Sequence, residues 1–157
     1  MRLYGMDTVL LRLFTPYGPW EHPGRLIPHV IASALARQPV RLRGGTQQRD
    51  FFYVGDLVEA MVVAGETAVP GPVTLNLCSG QARTVLEVAA LTLKLMGSDV
   101  PVETGEAVRP DEIQLCSGDS SQAHARLGWR AATSIEQGLE ATIGWFRENQ
   151  QWLNCCN

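Results

Sequence analysis

The stretch Gly44-Gly45-Thr46-Gln47-Gln48-Arg49-Asp50-Phe51-Phe52-Tyr53-Val54-Gly55-Asp56 constrains this chain more than any other. Glycines and amides make a loop, the aromatic run makes a short strand, and Gly55-Asp56 opens an apolar helix that Asp56 is expected to cap. Arg49 stands where the loop enters the strand. A guanidinium there can offer a planar, permanently charged fork to a phosphate. It can equally pair with Asp50 as an ordinary surface ion pair. Both readings stand on these residues alone.

The same alternation of strand and helix runs through the chain. Thr8 to Phe14 is an almost unbroken apolar run, the pattern of a strand buried on both faces of a parallel sheet. It is expected to end at Thr15-Pro16-Tyr17-Gly18-Pro19, where Thr15 and Tyr17 become candidate ligand contacts beyond a strand's carboxyl end. Ile27, Val30, Ile31, Ala34 and Leu35 fall at helical spacing within Gly24 to Arg37, with Pro28 in the first turn and His29 off the stripe as a solvated residue. Val40 to Leu42 reads as a strand with Arg41 and Arg43 on its other face. A helix follows from Leu57 to about Gly65, burying Leu57, Met61 and Ala64. Val73 to Leu77 is a further strand, with Asn76 expected to close a turn.

Thr84 and Glu87 form a capping box for a helix that reaches Met96 and stops at Gly97. Val100 to Val102 reads as a strand and Gly105 to Asp111 as a loop carrying Arg109. Asp119 is the expected N-cap of a short helix ending before Gly128. Thr133 with Glu136 makes a second capping box, for a last helix whose Ile135, Leu139, Ile143 and Phe146 form one apolar stripe. The fold class is therefore α/β, in one domain covering residues 1–157 with a frayed tail at 149–157.

Composition narrows function by exclusion. A net charge of −3 with scattered arginines disfavours nucleic acid and anionic membrane as partners. Cys78, Cys116, Cys155 and Cys156 include no Cys-x-x-Cys pair, and His22, His29 and His124 lack metal-ligand spacing, so no metal site is expected. Adjacent Cys155 and Cys156 read as reactive thiols of the frayed terminus. With no secretory leader or membrane-length apolar run, the expectation is a cytoplasmic protein.

The chain also lacks the Gly-x-Gly-x-x-Gly loop that cradles a dinucleotide pyrophosphate. Its single lysine, Lys94, has Ala90 four residues before it, so no Tyr-x-x-x-Lys acid/base pair exists here. No nucleophile-elbow pattern supports a Ser-His-Asp triad. No catalytic residue is assigned.

Taken together, Leu11-Arg12-Leu13-Phe14-Thr15-Pro16-Tyr17-Gly18-Pro19, the Gly44 to Asp56 stretch, Asn76-Leu77-Cys78-Ser79-Gly80 and Arg109-Pro110-Asp111-Glu112 resemble the carboxyl-terminal half of the extended short-chain dehydrogenase/reductases, in order and spacing. Asp119-Ser120-Ser121 and Leu127-Gly128-Trp129 also fit that family's ending. The group includes NAD(P)-dependent nucleotide-sugar epimerases, dehydratases and 4-keto reductases. The resemblance implies part of a Rossmann-type sheet with a small α/β nucleotide-sugar-binding subdomain, lacking the amino-terminal dinucleotide-binding half that carries the catalytic Tyr-x-x-x-Lys.

By that resemblance Arg49 and Arg109 grip a diphosphate, Glu112 contacts the nucleoside ribose, and Leu26, Pro28, Arg41 and Arg43 lie near the base and phosphates. Thr15 stands where the family often has asparagine facing the substrate. The Leu13, Phe14 and Thr15 backbone approaches the nicotinamide of NAD or NADP held by a complementary half, so this chain alone is expected to bind no cofactor. Arg12 is read as structural. The expectation is a truncated or split enzyme half, inactive alone, that binds a nucleotide sugar. The alternative is a non-catalytic binding or assembly module. An apolar edge left by the missing half implies a homodimer or a complementary Rossmann chain as partner.

Overall fold

The first strand, β1 (Val9–Leu13), runs parallel to β5 (Val73–Leu77), with Leu11 opposite Leu75 and Leu13 opposite Leu77. This is a computed structural model, and it describes residues 7–106 and 111–153. Leu75 and Leu77 are fully buried, and Val9 and Leu11 pack with them against Phe52, Ala60 and Trp129. The expectation of a strand covered on both faces is corrected here. Leu10, 57% exposed, and the exposed Arg12 occupy the opposite side, so among the described residues β1 is covered on one side only, and Leu13 at its end is 44% exposed.

Pairing does not stop at Thr15. The strand β2 (Thr15–Tyr17) takes a new parallel partner, β4 (Gln48–Tyr53), with Thr15 opposite Phe51. Pro16 is tolerated because β2 lies at the edge of its sheet, where a missing N–H costs no ladder bond on the open side. On the other flank of β4 runs β6 (Ala82–Thr84), antiparallel and unanticipated, while β8 (Leu115–Cys116) pairs parallel with Gln48 and Arg49 on the flank opposite β6. A separate parallel pair joins β3 (Val40–Arg43) to β7 (Val102–Glu106), with Arg41 opposite Glu103. Strand β7 thus runs past Val102 and absorbs Gly105, which reads as loop in the sequence, because β3 supplies a partner as far as Glu106.

Helix α1 (Leu26–Leu35) buries Ile27, Val30, Ile31 and Ala34 as its spacing predicts, while Leu35 near its end is 36% exposed. It packs against α3 (Val85–Met96), which has the predicted Thr84/Glu87 box and a left-handed Gly97 at φ 66°. Helix α2 (Val54–Glu66) begins three residues earlier than expected, so Asp56 falls inside its first turn and Tyr53 is the N-cap. The Asp56 carboxylate is drawn instead to α5 (Ile135–Glu148), accepting bonds from Thr133 N at 3.1 Å and Thr133 Oγ1 at 2.9 Å. With Thr133 so engaged, the cap of α5 shifts by one residue to Ser134 with Gln137. Met61 also departs from expectation: it is exposed beside Val58 and Val62.

The stripe Ile135, Leu139, Ile143 and Phe146 is buried as predicted and meets Tyr17 and Phe51. Tyr17 donates its hydroxyl to Ile135 O at 3.2 Å, and Gly138 makes that approach possible, since a Cβ there would collide with the Tyr17 oxygen. Helix α4 (Ser121–Leu127) is capped by Ser120, but Asp119 still supplies the acceptor, its Oδ1 taking Ser121 N at 2.8 Å. Asn76 lies within β5 rather than at a turn, donating to Asp119 O and accepting from Arg12. The tail is ordered further than its composition suggests. Gln150–Leu153 forms α6, and Trp152 Nε1 donates to Glu21 O at 3.1 Å. Cys155 and Cys156 lie outside the described residues.

Candidate functional site

Parallel pairing of β8 with β4 sets Gln48 opposite Leu115 and Arg49 opposite Cys116, so the segment leading into β8 crosses the start of β4. That register brings Glu112 to Arg49, 63 residues away in sequence. The Arg49 guanidinium forms an ion pair with the Glu112 carboxylate and donates to Ile113 O at 2.6 Å and to Gln48 O at 2.9 Å. Asp50 is not its partner. The Asp50 carboxylate is fully buried and accepts bonds from Ser79 N at 2.7 Å, Gly80 N at 3.0 Å and Gly118 N at 3.2 Å. Asp50 therefore ties the turn after β5 to the loop after β8, and thereby steadies the segment that bears Glu112.

The glycine loop ahead of β4 is shaped from within. Gln47 accepts from Gly45 N at 2.7 Å and donates to Arg43 O at 2.8 Å, closing the turn on its own side chain. Gly45 adopts φ 145° and gives its carbonyl to Leu86 N at 3.0 Å, which docks the loop on the start of α3. The positive φ is the reason for glycine at this point.

Between α1, β2 and β4 lies a cleft of about 290 Å³. Of the residues singled out in the sequence, Thr15, Leu26, Arg49 and Glu112 line it together. Others stand apart. Pro28 is buried within α1. Arg41 is on the outer face of β3, paired with Glu103 at 3.2 Å, and Arg43 shares that exposed face. Arg109 falls outside the described residues. Leu13 is half-exposed at the end of β1, and Phe14 donates its N–H to Leu77 O at 3.2 Å. His29, read as solvated, has Nε2 within 3.2 Å of Arg41 O.

Two charged residues of the cleft, Glu21 and Arg25, were not singled out in the sequence. Glu21 lines it, 13% exposed, with Oε1 3.5 Å from Arg25 Nε. Burial pushes its carboxyl up to about 7, against the opposing pull of Arg25. The signal available was the i,i+4 spacing of Glu21 and Arg25 across a Pro-Gly turn, which by itself reads as a surface pair. Elsewhere burial raises the Tyr17 hydroxyl and the Cys78 thiol, making each a poor base or nucleophile. Among the described residues no group of three or more His, Cys, Asp or Glu could hold a metal ion, and no helix is long and apolar enough to cross a membrane.

Comparison with known proteins agrees with this architecture. The NAD dependent epimerase/dehydratase family matches residues 1–78. A dTDP-glucose 4,6-dehydratase of Xanthomonas campestris pv. campestris is 32% identical over 160 residues, covering 96% of this chain and 45% of that protein. A trifunctional enzyme of Arabidopsis thaliana with UDP-glucose 4,6-dehydratase activity is 32% identical over 154 residues, covering 96% of this chain and 23% of its own length. Among solved structures, MoeE5 in complex with UDP-glucuronic acid and NAD superposes with a TM-score of 0.85 at 35% identity, over 91% of this chain and 48% of MoeE5. The UDP-glucose 4-epimerase of Thermotoga maritima, solved with UDP-glucose, gives 0.86 at 28% identity, over 95% and 48%. The chain spans about half the length, or less, of the relatives it matches. With its parallel α/β layout and these relatives, the chain belongs to the NAD dependent epimerase/dehydratase family.

Proposed function

We propose that these residues are the nucleotide-sugar-binding part of an NAD(P)-dependent epimerase/dehydratase-type enzyme, holding the diphosphate at Arg49. The observation that carries this reading is the convergence of Arg49, Glu112, Thr15 and Leu26 on one cleft. Arg49 sits there as a part-buried cation whose fork is pre-oriented by two backbone carbonyls and a carboxylate. A diphosphate arriving at the cleft adds charge-assisted bonds to a guanidinium whose ordering cost is already met. Arg109 is the second proposed grip and Glu112 the ribose contact. That MoeE5 has been solved with a UDP-sugar and NAD supports a ligand of this class.

NAD or NADP supplies hydride transfer in such chemistry. This chain's contribution is a wall, Leu13 to Thr15, at the end of β1. The acid/base pair and the pyrophosphate loop are not in these 157 residues, so hydride transfer depends on groups supplied from outside them. The polypeptide by itself is proposed to bind nucleotide sugar without turning it over, and no binding of NAD or NADP by it alone is proposed.

A second reading, a non-catalytic binding or assembly module, is favoured by the apolar surface of β1 and α2. Leu10, Leu13, Val58, Met61 and Val62 stand exposed there, which suits cover by a complementary Rossmann half or a second copy. Titration calorimetry with a panel of nucleoside diphosphates and nucleotide sugars, repeated on Arg49→Ala and Arg109→Ala, tests the first reading. Binding that needs both arginines supports it. Absence of binding favours the assembly module, and turnover restored by a Rossmann-half chain identifies a split enzyme.

A further inference from the structure

The wall of the cleft that carries Glu21, Gly24 and Arg25 is neither helix nor strand. Residues 18–25 cross from β2 to α1 in two short turns, Glu21 N donating to Gly18 O at 3.3 Å and Arg25 N to His22 O at 2.9 Å. Bonds of that span shape a turn without fixing where it stands on the molecule. Within the first turn Trp20 takes φ 67°, a left-handed conformation that is unfavourable for so large a side chain and persists where the surroundings impose it.

Here the surroundings come from α5 and α6. Trp152 donates its indole N–H to Glu21 O at 3.1 Å, across 131 residues of sequence. The Trp20 ring meets those of Trp145 and Trp152 at centroid separations of 4.9 and 5.1 Å, and the latter two lie 6.4 Å apart, all in tilted or edge-on geometry. Trp20 is 65% exposed, so burial of its ring is not what sets its place. Trp145 and Trp152 in turn pack on the buried cluster that holds Ile135, Leu139, Ile143 and Phe146. The stack and the indole bond therefore join the cleft wall to the core. We propose that Trp152 is a positioning residue of the nucleotide-sugar cleft, holding residues 18–25 in the conformation that lines it. The inference rests on the function proposed above. Trp152 does not line the cleft itself, and it acts on affinity through the fraction of molecules whose wall is in place. Such coupling is reciprocal, so a ligand that needs the wall in place also holds Trp152 more firmly.

The test is calorimetric titration of the whole 157-residue chain with UDP and dTDP, for wild type, Trp152→Phe, Trp152→Ala and Arg49→Ala. Trp152→Phe keeps a ring for the stack and removes the N–H, so it should weaken binding about fivefold while its denaturation midpoint stays near that of wild type. Trp152→Ala removes ring and donor together and should weaken binding by about tenfold or more. In wild type, saturating UDP should slow solvent exchange of the Trp152 indole N–H, followed by NMR, which a residue serving stability alone would not show. Unchanged affinity in both Trp152 variants, or indole exchange indifferent to the ligand, overturns the role of Trp152. If Arg49→Ala has meanwhile lost binding, the diphosphate reading stands. Failure of wild type to bind either nucleotide overturns both. Should the Trp152 variants not fold, the wild-type indole exchange decides alone.

Discussion

The cleft at Arg49 and the exposed apolar side chains of β1 and α2 lie in one chain but obey different rules. In the cleft, charges are answered locally: Glu112 meets Arg49 and Arg25 meets Glu21. Along β1 and α2, Leu10, Val58, Met61 and Val62 are each more than half exposed. The contrast separates two kinds of completeness. The cleft is held by bonds within these residues. The apolar face invites another surface, because exposed apolar side chains grouped on one strand and one helix mark contact sites.

That difference can be broken or sharpened by measurement. The largest effect is expected at Asp56, whose two bonds to Thr133 anchor α2 to α5. Asp56→Ala leaves the amide and hydroxyl of Thr133 unpaired and should cost about 3 kcal/mol in chemical denaturation. A loss below about 1 kcal/mol would mean that the two helices are held by their apolar contacts alone. Arg49→Ala comes next, with an expected 10- to 100-fold loss of diphosphate affinity, on the scale of one charge-assisted contact. A wild-type isotherm from this variant would remove the cleft as the binding site.

Glu21 offers a smaller and pH-dependent effect. Its folded carboxyl is raised from 4.5 to about 7, so the folded chain keeps a proton that the unfolded chain releases. Stability from this group is therefore full below about pH 4.5 and declines as pH rises through 7. Glu21→Gln, which cannot ionise, should match wild type near pH 4 and exceed it at pH 8 by on the order of 2 kcal/mol. Parallel stability curves across that range would contradict a buried, strained carboxylate. The smallest effect belongs to the apolar face. Val58→Gln with Val62→Gln should change stability by less than about 0.5 kcal/mol yet reduce self-association in sedimentation experiments. A wild-type chain that is already a monodisperse monomer would count against a homodimer through this surface.

Periodic patterns were legible from the residues. The stripe of α5, the Thr84/Glu87 box of α3, the alternation of β3 and the aromatic strand β4 all follow from local rules of helix, cap and pleat. Local chemistry also singled out Arg49, and the resemblance added Glu112, but their pairing came only from the register of β8 on β4. It failed where a distant partner competes. Asp56 reads as a cap but is claimed by Thr133, which then cannot cap α5 itself. Pro16 reads as a stop but lies on an edge strand, and the tail reads as frayed but carries Trp152 onto Glu21.

What the sequence determined by itself was the element alternation, the helix caps that nothing distant disputes, and the family. Tertiary structure alone decided which charges share a cleft and which carboxyl burial pushes up. The reason is physical: propensity and capping act over three or four residues, whereas the partners of Arg49, Asp56 and Glu21 are chosen by strand register and helix packing across the chain.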